Sequence, residues 1–273
     1  MKSRQSNLTV REVAPGRILA WLALGWRDLT RAPAASLAHG LAIAGFGAFL
    51  AWFAYDRFWL LAGAFSGFLV VAPLVATGLY ALSRALERGE TADFALLART
   101  WTRWGANRRS DPASYWCLVR FGLLLALAGT GWVLVSAAFV TLAAPLPVDS
   151  PLDFVRHVVL SRDSLAFEAW LVLGGALAAP MFASSVISMP LLLDRHVNAL
   201  DAVLASWRVV LANPGVMALW AGTLMLITLL GFATLLAGLI LAIPLLGHAS
   251  WHAYRDLVDA TGLPERIAPE ARA

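Results

Sequence analysis

Five histidines are the residues of this chain best suited to chemistry, and their placement singles out three. His248 and His252 are four apart in GHASWHAYRD, so they share one face of a helix. His39 stands near the start of a separate apolar stretch. Imidazole suits iron, copper and zinc, which makes His39, His248 and His252 candidate ligands of a haem or metal. No acidic or cysteine partner stands at a ligand spacing. The competing reading is interfacial imidazoles that hydrogen-bond headgroups or helix ends. His196 follows another apolar span, and His157 lies in a polar loop.

A second constellation is hydroxyl-rich. Ser184, Ser185 and Ser188 lie between Pro180 and Pro190 in one apolar span. Proline removes a backbone donor and kinks a helix, and a kinked helix with hydroxyls can line a polar cavity. Serines in such places also bond back to the carbonyl one turn earlier. Other signatures are missing from the spacing. There is no Gly-rich phosphate loop, no Ser/His/Asp arrangement and no HExxH. The single cysteine, Cys117, cannot form an intramolecular disulfide. Gly63-Ala-Phe-Ser-Gly67, with Gly40, Gly45 and Gly47, reads as small residues that allow close helix packing.

These residues must be positioned by membrane helices. The chain is 60% hydrophobic and 14% charged, with mean hydropathy +0.71. Soluble domains carry about 25% charged residues. No charge occurs in 34–55, 58–82 or 121–148, and 212–250 is an uncharged run of 39 residues. A membrane helix needs about 20 such residues. The last run is too long for one helix, so we read six spans: 34–54, 58–82, 118–142, 166–192, 215–231 and 234–255. Asp56 and Arg57 form the first polar turn, and the last turn falls near Gly231. The first span begins too late for a cleavable signal peptide and is expected to act as an uncleaved anchor.

Basic residues orient the spans. Six spans place 18 of the 21 Lys/Arg on one side and leave Arg57, Arg156 and Arg162 on the other. The positive-inside rule then puts both termini in the cytoplasm. It also explains the net charge of +4 without a nucleic-acid partner. The loop 143–165 holds a mixed segment, PLDFVRHVVLSRD, suited to a short surface helix. Glu168 is read as interfacial. No acid or base is expected at mid-membrane, which disfavours ion coupling through a buried carboxylate.

A threefold pattern overlies the spans. Each pair follows a short amphipathic segment: 17–33, 93–112 and 198–214. In the first, Leu19, Leu22, Trp26 and Leu29 form the apolar face. In the second, it is Phe94, Leu97, Trp101 and Trp104. In the third, Asn198 is the N-cap, and Leu200, Val203, Leu204, Trp207 and Leu211 form the face. Trp26 and Trp207 each stand seven residues before a proline, each followed by arginine. Pro73 and Pro244 each stand 11 residues before an arginine, Arg84 and Arg255. Basic helices with Trp on the apolar face suit the cytoplasmic membrane surface. The fold class is therefore all-α, a polytopic transmembrane bundle with three interfacial-helix-plus-hairpin repeats.

MPLLLDRHVNALDAVLASWRVVLANPGVMALW, IPLLGHASWHAYRDLV and GWRDLTRAPAASLAHG together resemble an uncharacterised family of bacterial integral membrane proteins. Some of its members are labelled as related to cytochrome c oxidase subunit I. The resemblance covers most of the chain and implies an inner-membrane protein of a Gram-negative bacterium. Of the oxidase ligands, only His39, His248 and His252 could be carried over, and none matches the motif around the oxidase copper. The expected function is a non-catalytic structural or assembly factor with no cofactor. The alternatives are a small-molecule or lipid transporter and a haem- or metal-binding electron-transfer protein. The expected partner is the lipid bilayer. Membrane-protein partners or a homo-oligomer stay open.

Overall fold

A computed structural model of the chain describes residues 8–53, 75–100, 112–148, 150–161 and 165–266. Several sequence expectations fall outside them: the polar turn at Asp56 and Arg57, the Gly63/Gly67 pair, Pro73, and Trp101, Trp104 and Arg162. The side chains of Cys117 and Arg120 are outside them too.

The described chain is a helical membrane bundle. Its helices are α1 (Arg17–Arg31), α2 (Pro33–Phe53), α3 (Thr77–Arg88), α4 (Pro112–Ala143), α5 (Ala166–Ser185), α6 (Ser188–Asp194), α7 (Ala199–Ala212), α8 (Pro214–Ala233) and α9 (Leu239–Leu257). A further helical segment occupies 94–100, and the mixed loop contains a helical turn, Pro151–Phe154, continued by a π-turn at Val155–Val159. Among the described residues, three segments are long and apolar enough to cross a membrane: Pro33–Phe53, Ala166–Asp194 and Pro214–Ala233. Their outer surfaces carry Phe46, Phe49, Trp52, Phe53, Leu226 and Leu230, all exposed. Such a density of exposed large apolar side chains suits lipid rather than water.

The long uncharged run is two helices, α8 and α9. The turn falls at 234–238, a few residues beyond Gly231, which is still helical. Thr234 makes this turn: its hydroxyl donates to Gly231 O (2.9 Å) and accepts from Gly238 N (2.7 Å). Leu235 and Leu236 take positive φ of 53° and 69° there.

Helix ends follow local rules. The α3 C-cap is Gly89 at φ 71°, where a side chain would strain the backbone. Asn198 caps α7 by accepting from Asp201 N at 2.8 Å. Pro33, Pro112 and Pro214 open α2, α4 and α8, at the one helical position where proline loses no hydrogen bond. The residues before two of these prolines share a conformation: Ala32 at φ −126°, ψ 55° and Asn213 at φ −128°, ψ 50°. The first and third amphipathic segments thus turn the same corner into a long apolar helix.

The chain forms two compact units. The first comprises Met1–Gly45, Pro73–Arg120 and Ala183–Ala273. Its centre is α9, which packs on α1, α3, α8 and α6. Glycines allow these approaches. A Cβ on Gly25 would lie 2.7 Å from Ala249 N and 2.8 Å from Leu245 O, and one on Gly40 would meet Ile240 O. Trp21 stands edge-on to Trp220 with ring centres 5.5 Å apart, and its indole donates to Asp256 at 2.9 Å. A two-residue antiparallel pair, β1 (Thr9–Val10) with β2 (Val258–Asp259), joins the two ends of this unit. The second unit comprises Phe46–Ala72 and Phe121–Phe182. Its core gathers Val140, Val148, Val158 and Ala166. Trp170 lies against Trp132, Phe154 and Phe167 and donates to Ser136 Oγ at 2.7 Å.

Candidate functional site: a buried polar chain and an arginine cluster

His248 and His252 share a face of α9, as their spacing requires. His248 is fully buried. Its Nε2 meets Ser36 Oγ of α2 at 2.9 Å, and its Nδ1 meets Ser83 Oγ of α3 at 2.7 Å. One turn on, His252 Nε2 lies 2.7 Å from Asp28 Oδ2 of α1. Ser83 also hydrogen-bonds the Asp28 carboxylate. The result is one continuous chain, Ser36–His248–Ser83–Asp28–His252, tying four helices together.

The chemistry of the groups sets its direction. An ionised carboxylate only accepts, so Ser83 donates its one proton to Asp28. Ser83 must then accept from His248 Nδ1–H, and Ser36 donates to Nε2. His248 is thereby fixed as one neutral tautomer. Asp28 is only 2% exposed. Burial alone would raise its pKa, but the bonds from His252 and Ser83 outweigh burial and hold the carboxyl below its ordinary value.

The sequence reading found no Ser/His/Asp arrangement; the fold assembles one. Spacing could not show it because Ser36 and His248 are 212 positions apart. It is not a nucleophilic triad. Asp28 bonds His252 and Ser83 rather than the far nitrogen of His248, and Ser36, Ser83 and His248 are all shut off from solvent.

His39, three residues after Ser36, bonds the Val75 backbone carbonyl. Its Nε2 is buried with no hydrogen-bond partner among the described residues. His39, His248 and His252 therefore belong to one packed unit, but they do not fit a ligand set. Both nitrogens of His248 and Nε2 of His252 are already engaged. Among the described residues no group of three or more His, Cys, Asp or Glu is arranged to hold a metal ion.

The serine–proline segment is a helix break. Helix α5 ends at Ser185 and α6 starts at Ser188. Ser188 Oγ donates to Ser184 O at 2.6 Å, and the Ile187 N–H, freed by the break, donates to Ser206 Oγ at 3.1 Å. Ser184 Oγ accepts from the Trp207 indole at 3.0 Å. Ser185, Ser188 and Pro190 are buried, whereas Pro180 is exposed on α5. Here hydroxyls replace backbone partners, as at other breaks in membrane helices.

A second polar centre was not read from the sequence as a site. Asp194, nearly buried at the end of α6, accepts from Arg84 Nε (3.0 Å), Arg195 Nε (3.0 Å) and Tyr254 OH (2.9 Å). Arg88 and Arg255 stand 3.7 and 3.8 Å from the same carboxylate. Glu265 pairs with Arg88 and Arg195, and Glu87 pairs with Arg255. Arg84 also donates to Arg266 O at 2.6 Å. The ends of α3, α6 and α9 thus meet in one ion-pair network. The only sequence trace was the matched spacing of Arg84 and Arg255 after prolines.

Residues 60–194 match the model of a family described as "Predicted integral membrane protein (DUF2189)". No curated protein and no solved structure matches the chain.

Proposed function

From the match of residues 60–194 to the DUF2189 predicted integral membrane proteins, we propose that this chain is a non-catalytic structural or assembly factor of the bacterial inner membrane. One observation carries this reading. Among the described residues, Asp28, Asp194, His248 and His252 are bonded to side chains of neighbouring helices. Asp194 holds three helix ends together, and Asp28 with its imidazole and serine partners holds four helices. Buried polar networks of this kind fix which helices pair, and hence a single arrangement of the bundle.

The same unit supports an orientation. A strand pair cannot be made across a bilayer, so β1 and β2 lie on one side. The chain between them therefore makes an even number of crossings. Together with the 18 basic residues on that side, this favours six spans with both termini cytoplasmic.

The test uses the purified full chain. An optical spectrum and metal analysis should show neither a Soret band nor a stoichiometric metal. Proteoliposomes should show no solute flux above protein-free vesicles. Cross-linking in native membranes should recover a discrete membrane-protein partner or a second copy of this chain. A metal or haem lost on His248→Ala, or saturable flux, would overturn the reading.

A further inference from the structure

Two helices of the first unit are built alike on their outer surfaces. In α1 the residues turned toward α9 and its neighbours are Ile18, Trp21, Gly25, Asp28 and Leu29, all buried. Leu19 (72% exposed) and Trp26 (49%) point away. In α7 the inward face is small, Ala202, Ala205, Ser206 and Val209, while Leu200 (67%) and Leu211 (71%) point away. The apolar faces read from the sequence are thus largely the outer faces. Leu29 is the exception.

Both helices end at the one-residue corner described above, and both lead at once into a helix long enough to cross the membrane. That fixes their depth: each lies where its span meets the bilayer surface. In each helix an arginine follows the tryptophan and sits beside the outer apolar stripe. Arg27 and Arg208 are exposed, and so is Arg31 in the last turn of α1. Asp28, the acid nearest Arg27, is turned inward to His252. Asp201, exposed on α7, is bonded by its own N-cap, Asn198. Among the described residues, Arg31 and Arg208 have no ion-pair partner, and Arg27 has only Asp28 at 3.8 Å.

We propose that α1 and α7 form a docking surface for acidic phospholipid, with Arg27, Arg31 and Arg208 binding headgroup phosphates while Leu19, Trp26, Leu200 and Leu211 enter the acyl boundary. The surface is basic, apolar and held at bilayer depth, which is the complement of an anionic lipid and of no soluble anion. This goes beyond the structural role proposed above and does not depend on it.

The experiment is native mass spectrometry of the full chain in detergent. Phosphatidylglycerol or phosphatidylcholine is titrated in, and inorganic phosphate serves as control. The wild type should bind phosphatidylglycerol in preference to phosphatidylcholine. The variant Arg27→Gln/Arg31→Gln/Arg208→Gln should lose that preference, by about fivefold for each arginine removed. Its melting temperature in phosphatidylcholine should equal the wild type's. If the triple variant does not fold, Arg31→Gln and Arg208→Gln are read singly, since neither side chain is packed inside the unit. Equal affinity for the two lipids would overturn the proposal. So would an unchanged phosphatidylglycerol affinity in a folded variant, or inorganic phosphate competing away the lipid at equal concentration. Flux and cross-linking do not involve these arginines, so a failure here leaves the structural role untouched.

Discussion

Asp194 and Asp28 are the two side chains on which the first unit most depends. Replacing Asp194 by Ala leaves Arg84, largely buried, without its ion-pair partner, and leaves Arg195 with Glu265 alone at 3.4 Å. A broken buried pair costs about 3–5 kcal/mol. Asp194→Ala should therefore melt well below the wild type in detergent, or fail to elute as a single species; an unchanged melting curve would mean the network is decorative. Asp28 gives a pH signature. Its folded pKa is depressed, so its stabilisation is complete above about pH 4 and is lost as pH falls through the depressed value. Asp256 and Asp259, also depressed, titrate in the same acid range, Asp259 down to about 2. The measurement is thus the difference between wild type and Asp28→Asn. That difference should be about 1–3 kcal/mol near neutrality and shrink toward zero in acid. Neither aspartate was legible as a site, because its partners come from elements far apart in sequence. The histidines were legible by type, but their role was set by Ser36, Ser83 and Asp28.

At the scale of elements, close packing on α9 makes a sharper prediction than composition does. A methyl group on Gly25 meets the α9 backbone, which cannot rotate away. Gly25→Ala should cost about 1–3 kcal/mol by forcing α1 off α9. Gly45→Ala, in the neighbouring α2, meets nothing within 4 Å and should be neutral or stabilising by up to about 1 kcal/mol. Thermal melts of the two variants side by side check this; equal effects would refute the packing account. Periodicity showed α1 and α7 well, including the Asn198 cap and the outer stripes. It could not show that Trp21, Gly25 and Asp28 form the inner face, since that face is defined by α9. The break at Val186–Ile187 was legible as a kink from its prolines, but the supporting hydroxyl of Ser206 was not, because it comes from α7.

For the molecule as a whole, apolar runs carried the class, while the proposed orientation rests on the basic residues and on the strand pair, which constrains the number of crossings. Cysteine labelling tests it. In a Cys117→Ser background, single cysteines at Ser6 and Thr261 should react with a membrane-impermeant maleimide only after the inner membrane is opened. Labelling of just one of the two in intact spheroplasts would rule out an even number of crossings. The same pairing bears on how the protein is made. Arg11 and Asp259, which close the pair, are 248 positions apart. At synthesis rates of about 5–20 residues per second, the first must wait roughly 12–50 s for the second. Through that interval α1 waits for α9, the helix it packs against most. On the lipid-docking proposal, the outer stripe of α1 is then a mooring that keeps the helix at the bilayer surface until the last helix arrives.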